Sequence, residues 1–358
     1  MRYSFLNNKK KLKPAIKFFE KNGFCVIENA IPKNKIKTIK DEILKARKNN
    51  FDNFNIYKKL IKKKLNDQQL LNHKKLKVRK QRILGKPPKL VNEIIWMPEY
   101  AKYLSSNYIT SFVKLILDEH VKIAQLHTKK ATQNNILQKK IEIGEDPFGL
   151  PMVLKGDKNT REWHTDWPHD PWAYGGGLKG ENIGCLKQPY PDMCMCIVMV
   201  WYLTDVGKNT GGTFCVPKSH RFKKTPRGIK DNILTLSPLS NEIQITAKAG
   251  SVFIQDSRLW HSPPVQIDKN KGDRIAVVNR WTPWWLATND YAPNDRFNVV
   301  CKPINKSEYQ KLPNKLKPIM RHLCADLKEY IHPKILKRSL EAVRVQKKYY
   351  KKISSQIK

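Results

Sequence analysis

The sequence predicts a mainly β fold, an antiparallel sandwich or jelly roll with helices packed around it. Between Val121 and Trp281, short runs of strand-forming residues follow one another, separated by turns and without intervening helical spacing. Within them, Met193–Leu203 is apolar without alternation, as expected of a strand covered on both faces. Helical periodicity is confined to the two ends of the chain.

The elements follow in order. Pro14–Asn22 reads as a short helix stopped by Gly23, and Phe24–Glu28 as a strand. Pro32 opens a helix with Ile36, Ile39 and Ile43 on one face. Residues 51–90 look least structured, with a densely basic stretch over Lys74–Lys89. Glu99–Leu117 has the spacing of a single helix. From Val121 the period changes: Val121, Ile123 and Gln125 alternate with Lys122, Ala124 and Leu126, as in a strand. Gln133–Pro151 reads as an inserted loop broken by Gly144, Pro147, Gly149 and Pro151. Thr210–His220 gives a glycine turn, a short strand and a proline-bounded turn. Gly250 and Ser251 turn into a strand over Val252–Gln255, and Arg274–Trp281 is another. Beyond Pro293, Met320, Leu323, Leu327 and Ile331 form one apolar stripe. Leu336, Leu340 and Val343 form a second, on a strongly basic helix.

Composition narrows the class. The 358 residues include nine Trp and are 40% hydrophobic, enough for a real core. There are 69 Lys+Arg against 31 Asp+Glu, a net charge of +38 that attracts anions. The lysines are spread along a chain rich in Lys, Asn and Ile, so a coding bias accounts for the charge better than a nucleic-acid partner does. Seven irregularly spaced cysteines argue against a disulfide framework and for a reducing compartment. With no signal-like segment and no apolar run of membrane-spanning length, a cytoplasmic protein without membrane association is expected.

The most chemically suggestive stretch is Arg161–Asp170. If it is extended, His164 and Asp166 share one face, with Trp163, Thr165 and Trp167 on the other. An imidazole and a carboxylate on one wall make up two-thirds of a facial two-histidine, one-carboxylate iron site. The second histidine must come from a distant strand, and His261 is the best placed. Taken alone, His-x-Asp more often marks a structural histidine than a metal ligand. Arg274 and Arg280 have the same parity, so a regular strand aims both at one side. Arg280 then reads as a substrate anchor, as the co-substrate ligand if a bulge shifts the register, or as a rim ion pair. His169 and Asp170 read as loop residues or supports for the ligands. Trp201 and Tyr202 read as barrel packing, with Trp201 also a candidate to touch substrate.

Several motifs occur in one order: Gly23–Glu28, Trp163–Asp166, Trp201–Asp205, Asn209–Thr213, Val216–His220, Gly250–His261 and Arg274. Together they resemble the phytanoyl-CoA dioxygenase-like family of non-haem Fe(II), 2-oxoglutarate-dependent oxygenases, over roughly residues 14–285. The resemblance implies a double-stranded β-helix, a jelly-roll or cupin-like barrel. It implies a helical part packing on that barrel over 1–120, the catalytic core over 121–290, and a basic helical extension over 291–358, one catalytic domain overall.

It also implies Fe(II) held by His164, Asp166 and His261, with 2-oxoglutarate and O2 as co-substrates and Arg274 on the far carboxylate of 2-oxoglutarate. A planar, permanently charged fork suits that carboxylate better than lysine does. The chain departs from the pattern at Pro263, where relatives often carry a small or hydroxyl residue. Asp166 argues for hydroxylation, because related halogenases lack this carboxylate. The implied activity is hydroxylation of a C–H bond of a small molecule, an anionic one included, with release of succinate and CO2. Two alternatives stay open: a non-catalytic scaffold with a vestigial metal site, and an oxygenase acting on nucleic acid.

Overall fold

In a computed structural model, the described residues are 2–4, 12–61, 63, 91–131, 143–145, 151–153, 161, 163–169, 186, 188–208, 210–226, 237–263, 273–286, 304–324, 341 and 344–348. The first helix, α1, spans Leu12–Asn22 and buries Ala15 and Phe19. Gly23 ends it, its N–H bonded to the Phe19 carbonyl at 2.6 Å and its φ at +82°, a left-handed conformation that costs glycine nothing. Strand β2, Phe24–Glu28, follows directly and takes the segment β1, Arg2–Ser4, as a parallel neighbour.

A 3-10 turn at Lys33–Lys35 leads into α2, Ile36–Ile61, so the helix runs through Ile61, well into the stretch from residue 51 where order was expected to fade. Ile39 and Ile43 of α2 are fully buried, each stabilising the fold by about 1.5–3 kcal/mol. The single helix expected over Glu99–Leu117 is two: α3, Pro98–Leu104, and α4, Asn107–Ile116. The Ser105 hydroxyl donates back to the Ala101 carbonyl at 2.8 Å. Ser106 takes extended dihedrals and its hydroxyl accepts from the Ile109 N–H. Two serines that bond the backbone locally end one helix and cap the next.

The remaining strands are β3 (Val121–Ala131), β4 (Ile143–Glu145), β5 (Pro151–Val153), β6 (Ile197–Tyr202), β7 (Phe214–Cys215), β8 (Ile243–Gln244), β9 (Val252–Asp256), β10 (His261–Ser262) and β11 (Arg274–Pro283). They form a six-stranded sheet in the order β1-β2-β9-β6-β11-β3, a three-stranded sheet β10-β7-β8, and the β4-β5 pair. The expected loop over Gln133–Pro151 therefore carries β4. Near the C-terminus, α5 (Lys306–Lys311) is capped by Asn305, whose side chain accepts from the Glu308 N–H at 2.9 Å.

Register sorts the large sheet into two faces. Trp201 lies opposite Val252 and Val277, and with Ile197, Met199 and Ile254 it joins the core formed with α1, α2, α3 and α4. On the other face, Phe24, Val26, Tyr202, Phe253 and Ala276 pack against Cys215, Ile245 and Leu259 from the side of the smaller sheet. Two sheets closed over an apolar interior make the jelly-roll barrel, with helices on its outer face.

Alternation in β3 breaks once. Arg280 pairs with Gln125 but Trp281 with Ile123, leaving Ala124 as the extra residue. That bulge brings Leu126 onto the side of Val121 and Ile123, all three in the helix-side core, where strict alternation had put it opposite them. Lys74–Lys89, Asp170, Tyr174–Gly177, Leu327, Ile331, Leu336, Leu340 and Val343 lie outside the described residues. No helix among the described residues is long and apolar enough to cross a membrane.

Candidate metal centre

Trp163 fixes the start of the site. Its ring is buried with Phe214 and Val216, and its indole N–H donates to the Ser237 carbonyl at 3.0 Å. The next residue faces the opposite way. His164 pairs with His261 across an antiparallel bridge, each donating its backbone N–H to the other's carbonyl at 3.0 Å. Directly opposed residues project to the same side of a sheet, and here the two imidazole centroids are 4.2 Å apart.

The bridge is one residue long, not the extended strand expected over Arg161–Asp170. The Asp166 N–H turns instead to the Ser257 carbonyl at 2.7 Å. The candidate ligand atoms of His164, Asp166 and His261 all lie within 4.8 Å of one another, the only such group of three among the described residues. By donor type and spacing, two imidazoles and one carboxylate, this group could hold a metal ion.

The tautomer of His261 fits that use. Its Nδ1 lies 2.9 Å from the Leu259 carbonyl, which can only accept, so Nδ1 carries the proton and Nε2 keeps a lone pair for a cation. The backbone just before it is braced by the Val216–His220 turn. Ser219 Oγ accepts the Trp260 N–H at 2.8 Å and donates to the Val216 carbonyl at 2.7 Å.

Both oxygens of Asp166 are engaged. Arg280 Nη2 donates to Oδ1, and Gln255 Nε2 donates to Oδ2 at 3.0 Å. Oδ2 also lies 3.3 Å from His261 Nε2. Burial by itself raises the Asp166 pKa. The Arg280 guanidinium, with His261 and His164 adding to it, outweighs burial and holds the carboxyl well below its ordinary range.

Arg274 sits further along β11 on the same face. The bulge in the pairing with β3 comes after Arg280, and pairing with β6 runs unbroken from Ala276 to Trp281. Parity between the two arginines is therefore kept. Arg274 Nη1 donates to the Gly211 carbonyl at 2.7 Å, while its Nε is buried with no partner among the described residues. Gly211 has φ +84°, and a Cβ there would lie 2.9 Å from Arg274 Cδ. Burial lowers the Arg274 pKa, partly offset by Tyr202, whose hydroxyl lies 3.0 Å from Thr213 Oγ1.

The other expected residues scatter. Trp201 is on the helix side of the sheet, edge-on to Tyr100 and donating to Asn279 Oδ1 at 2.9 Å. The structure does not bring it to the site. Tyr202, one residue on, faces the barrel interior.

His169 lies behind Asp166, with its backbone N–H on the Asp166 carbonyl at 2.9 Å and its Nδ1 3.0 Å from Ser257 Oγ. Burial, only partly offset by Asp256, pulls its pKa from 6.5 down to about 4. The folded value is the lower one, so the unfolded chain takes up this proton first as pH falls. Stability from neutral His169 is complete above pH 6.5 and is lost toward pH 4. Urea titrations of wild type and His169→Gln should therefore show an extra wild-type loss on the order of 3 kcal/mol between pH 7 and 4. Equal pH slopes would contradict this.

Sequence reading missed Gln255 and the Asp256–Arg258 pair. Arg258 grips Asp256 from Nε at 3.0 Å and Nη2 at 2.8 Å, and donates to the Pro191 carbonyl at 3.0 Å. The available signal was an amide and two opposite charges at the end of an otherwise apolar strand.

The chain was compared with family models, curated proteins and solved structures. Residues 151–263, which include His164, Asp166 and His261, match the family model described as Phytanoyl-CoA dioxygenase (PhyH), and over this segment the resemblance holds. No curated protein matches the chain. Among solved structures, the epimerase SnoN in complex with Fe3+, alpha ketoglutarate and nogalamycin RO is 10% identical, covering 77% of this chain and 85% of that one at a TM-score of 0.44. HygX from Streptomyces hygroscopicus with nickel and 2-oxoglutarate bound is 14% identical, covering 82% and 95% at 0.42.

Proposed function

We propose that this chain is a non-haem Fe(II)- and 2-oxoglutarate-dependent dioxygenase that hydroxylates a C–H bond of a small-molecule substrate. The observation that carries this reading is the convergence of His164, Asp166 and His261, two neutral nitrogen donors and one carboxylate, on one point of the barrel interior. Membership of residues 151–263 in the matched family supports it. When bound there, iron with 2-oxoglutarate and O2 supplies the oxidising power, with 2-oxoglutarate leaving as succinate and CO2 and one oxygen atom entering the substrate.

The chain's own part is placement. His164 and His261 hold the cation through nitrogen lone pairs and move no proton. Asp166 supplies the one negative charge and leaves the remaining positions to the co-substrates. The apolar wall of Cys196, Val198 and Val278 beside the site keeps water away from it. Arg274 anchors the far carboxylate of 2-oxoglutarate. Its Nε, buried and without a partner among the described residues, fits that role, since an orphaned guanidinium N–H calls for an acceptor.

The test is iron-dependent succinate release from the purified protein, with metabolite pools screened for a mass gain of one oxygen atom. A chain that binds small molecules or polynucleotide but never releases succinate would overturn the proposal. Within that assay, Arg274→Ala raises the 2-oxoglutarate concentration for half-maximal rate by roughly 10- to 100-fold, the loss of a charge-assisted hydrogen bond. The iron requirement stays as it was. Equal rises in both would make Arg274 a structural residue.

A further inference from the structure

We infer that Arg280 and Gln255 form a two-sided clamp on Asp166, fixing which of its oxygens is offered to the cation; the inference rests on the metal-binding reading above. Both side chains start from one row of the barrel's inner face, because Val198 of β6 lies opposite Arg280 on one side and Gln255 on the other. Both are buried, at 8% and 2% exposure. Arg280 takes Oδ1 and Gln255 takes Oδ2, so the carboxylate plane is held at both ends.

The orientation of the Gln255 amide is fixed by its neighbours. Its Nε2 lies 3.0 Å from Asp166 Oδ2 and 3.3 Å from His261 Nε2. The first is a carboxylate oxygen, and the second is the imidazole nitrogen left without a proton by the Leu259 contact. Before a cation binds, two acceptors require the NH2 end, the reverse orientation setting oxygen against oxygen. A cation taking the single His261 Nε2 lone pair would replace that 3.3 Å contact and leave the one to Asp166 Oδ2 in place.

The charges point the same way. A carboxylate that chelates a cation uses both oxygens, but here Oδ1 is turned to a guanidinium that cannot lose its charge. Oδ2, on the His261 side, accepts only the neutral Gln255 amide and keeps a second lone pair, so it is the oxygen that would face the metal. Asp166 would then offer the metal a single oxygen and leave room beside it for the co-substrates. This use of Arg280 replaces the substrate-anchoring and co-substrate roles that parity alone had allowed. Arg280 and Gln255 are positioning residues that act through Asp166.

The experiment is calorimetric titration of the full-length, metal-free protein with Co(II), without 2-oxoglutarate. It compares wild type with Arg280→Met, Arg280→Lys and Gln255→Met, and follows the thermal melt of each metal-free form. Loss of a group that orients a metal ligand lowers affinity by about 10- to 100-fold. That loss is expected for Arg280→Met and Gln255→Met, with Arg280→Lys recovering part of it. Gln255→Met keeps the side-chain volume, so it decides alone if Arg280→Met does not fold. Wild-type affinity in the folded variants overturns the clamp and leaves the metal site standing. A wild-type protein that binds no Co(II) overturns both.

Discussion

Replacing His261 by alanine abolishes iron-dependent succinate release, a loss of at least about a thousandfold, equivalent to roughly 4 kcal/mol or more, while the protein stays folded. The two properties separate because different atoms carry them. The bridge to His164 runs through main-chain N–H and carbonyl groups at 3.0 Å, which alanine keeps. Only the imidazole is lost, and with it one of three donors, leaving the cation too few fixed positions. His164→Ala should behave alike. The measurement is succinate formed per enzyme at saturating 2-oxoglutarate, beside a circular-dichroism melt. Turnover near wild type in either variant would defeat the assignment of the site.

Arg258→Ala has the opposite signature: the fold weakens before the chemistry does. Asp256 is 1% exposed and its carboxylate receives both Arg258 side-chain contacts and the Arg258 backbone N–H at 2.8 Å. Removing the guanidinium strands a buried charge, which costs about 3–5 kcal/mol. The Asp256→Asn/Arg258→Met double variant recovers much of this, because no charge is left unpaired. Urea unfolding monitored by tryptophan fluorescence measures both. Equal midpoints for wild type and Arg258→Ala would show that the pair contributes nothing. Since this pair shapes the turn between β9 and His261, a partly unfolded Arg258→Ala should also bind metal less well.

Much of this was legible in the sequence, for reasons that can be traced. Phe24–Glu28 and Arg274–Trp281 read as strands because β-branched and aromatic residues dominate them, and both are strands. The grouping of His164, Asp166 and His261 was readable because a metal site needs particular residue types, and a chain with nine histidines offers few ways to place them. The break at Ser105–Ser106 was not readable, since hydroxyls that cap and hydroxyls that decorate a helix look alike in a periodicity count. Trp201 could not be assigned a side without the register of β6 against β9 and β11. The bulge at Ala124 was hidden because one unpaired residue changes no composition. Arg280 was seen as a site residue with its partner unknown, as parity gives a face but not a contact. Gln255 passed unnoticed, because an amide in an apolar strand carries no motif.

The bridge between His164 and His261 also has a bearing on how the protein comes to be folded. Two donors about a hundred residues apart become neighbours only once the intervening chain has closed, and closing so long a loop costs entropy before any contact repays it. A cation gripping both imidazoles would act as a removable staple across that closure, raising the melting temperature in proportion to the logarithm of its concentration. Chelators should then loosen the barrel at its seam first, and amide exchange at positions 164 and 261 should quicken before it does in β6.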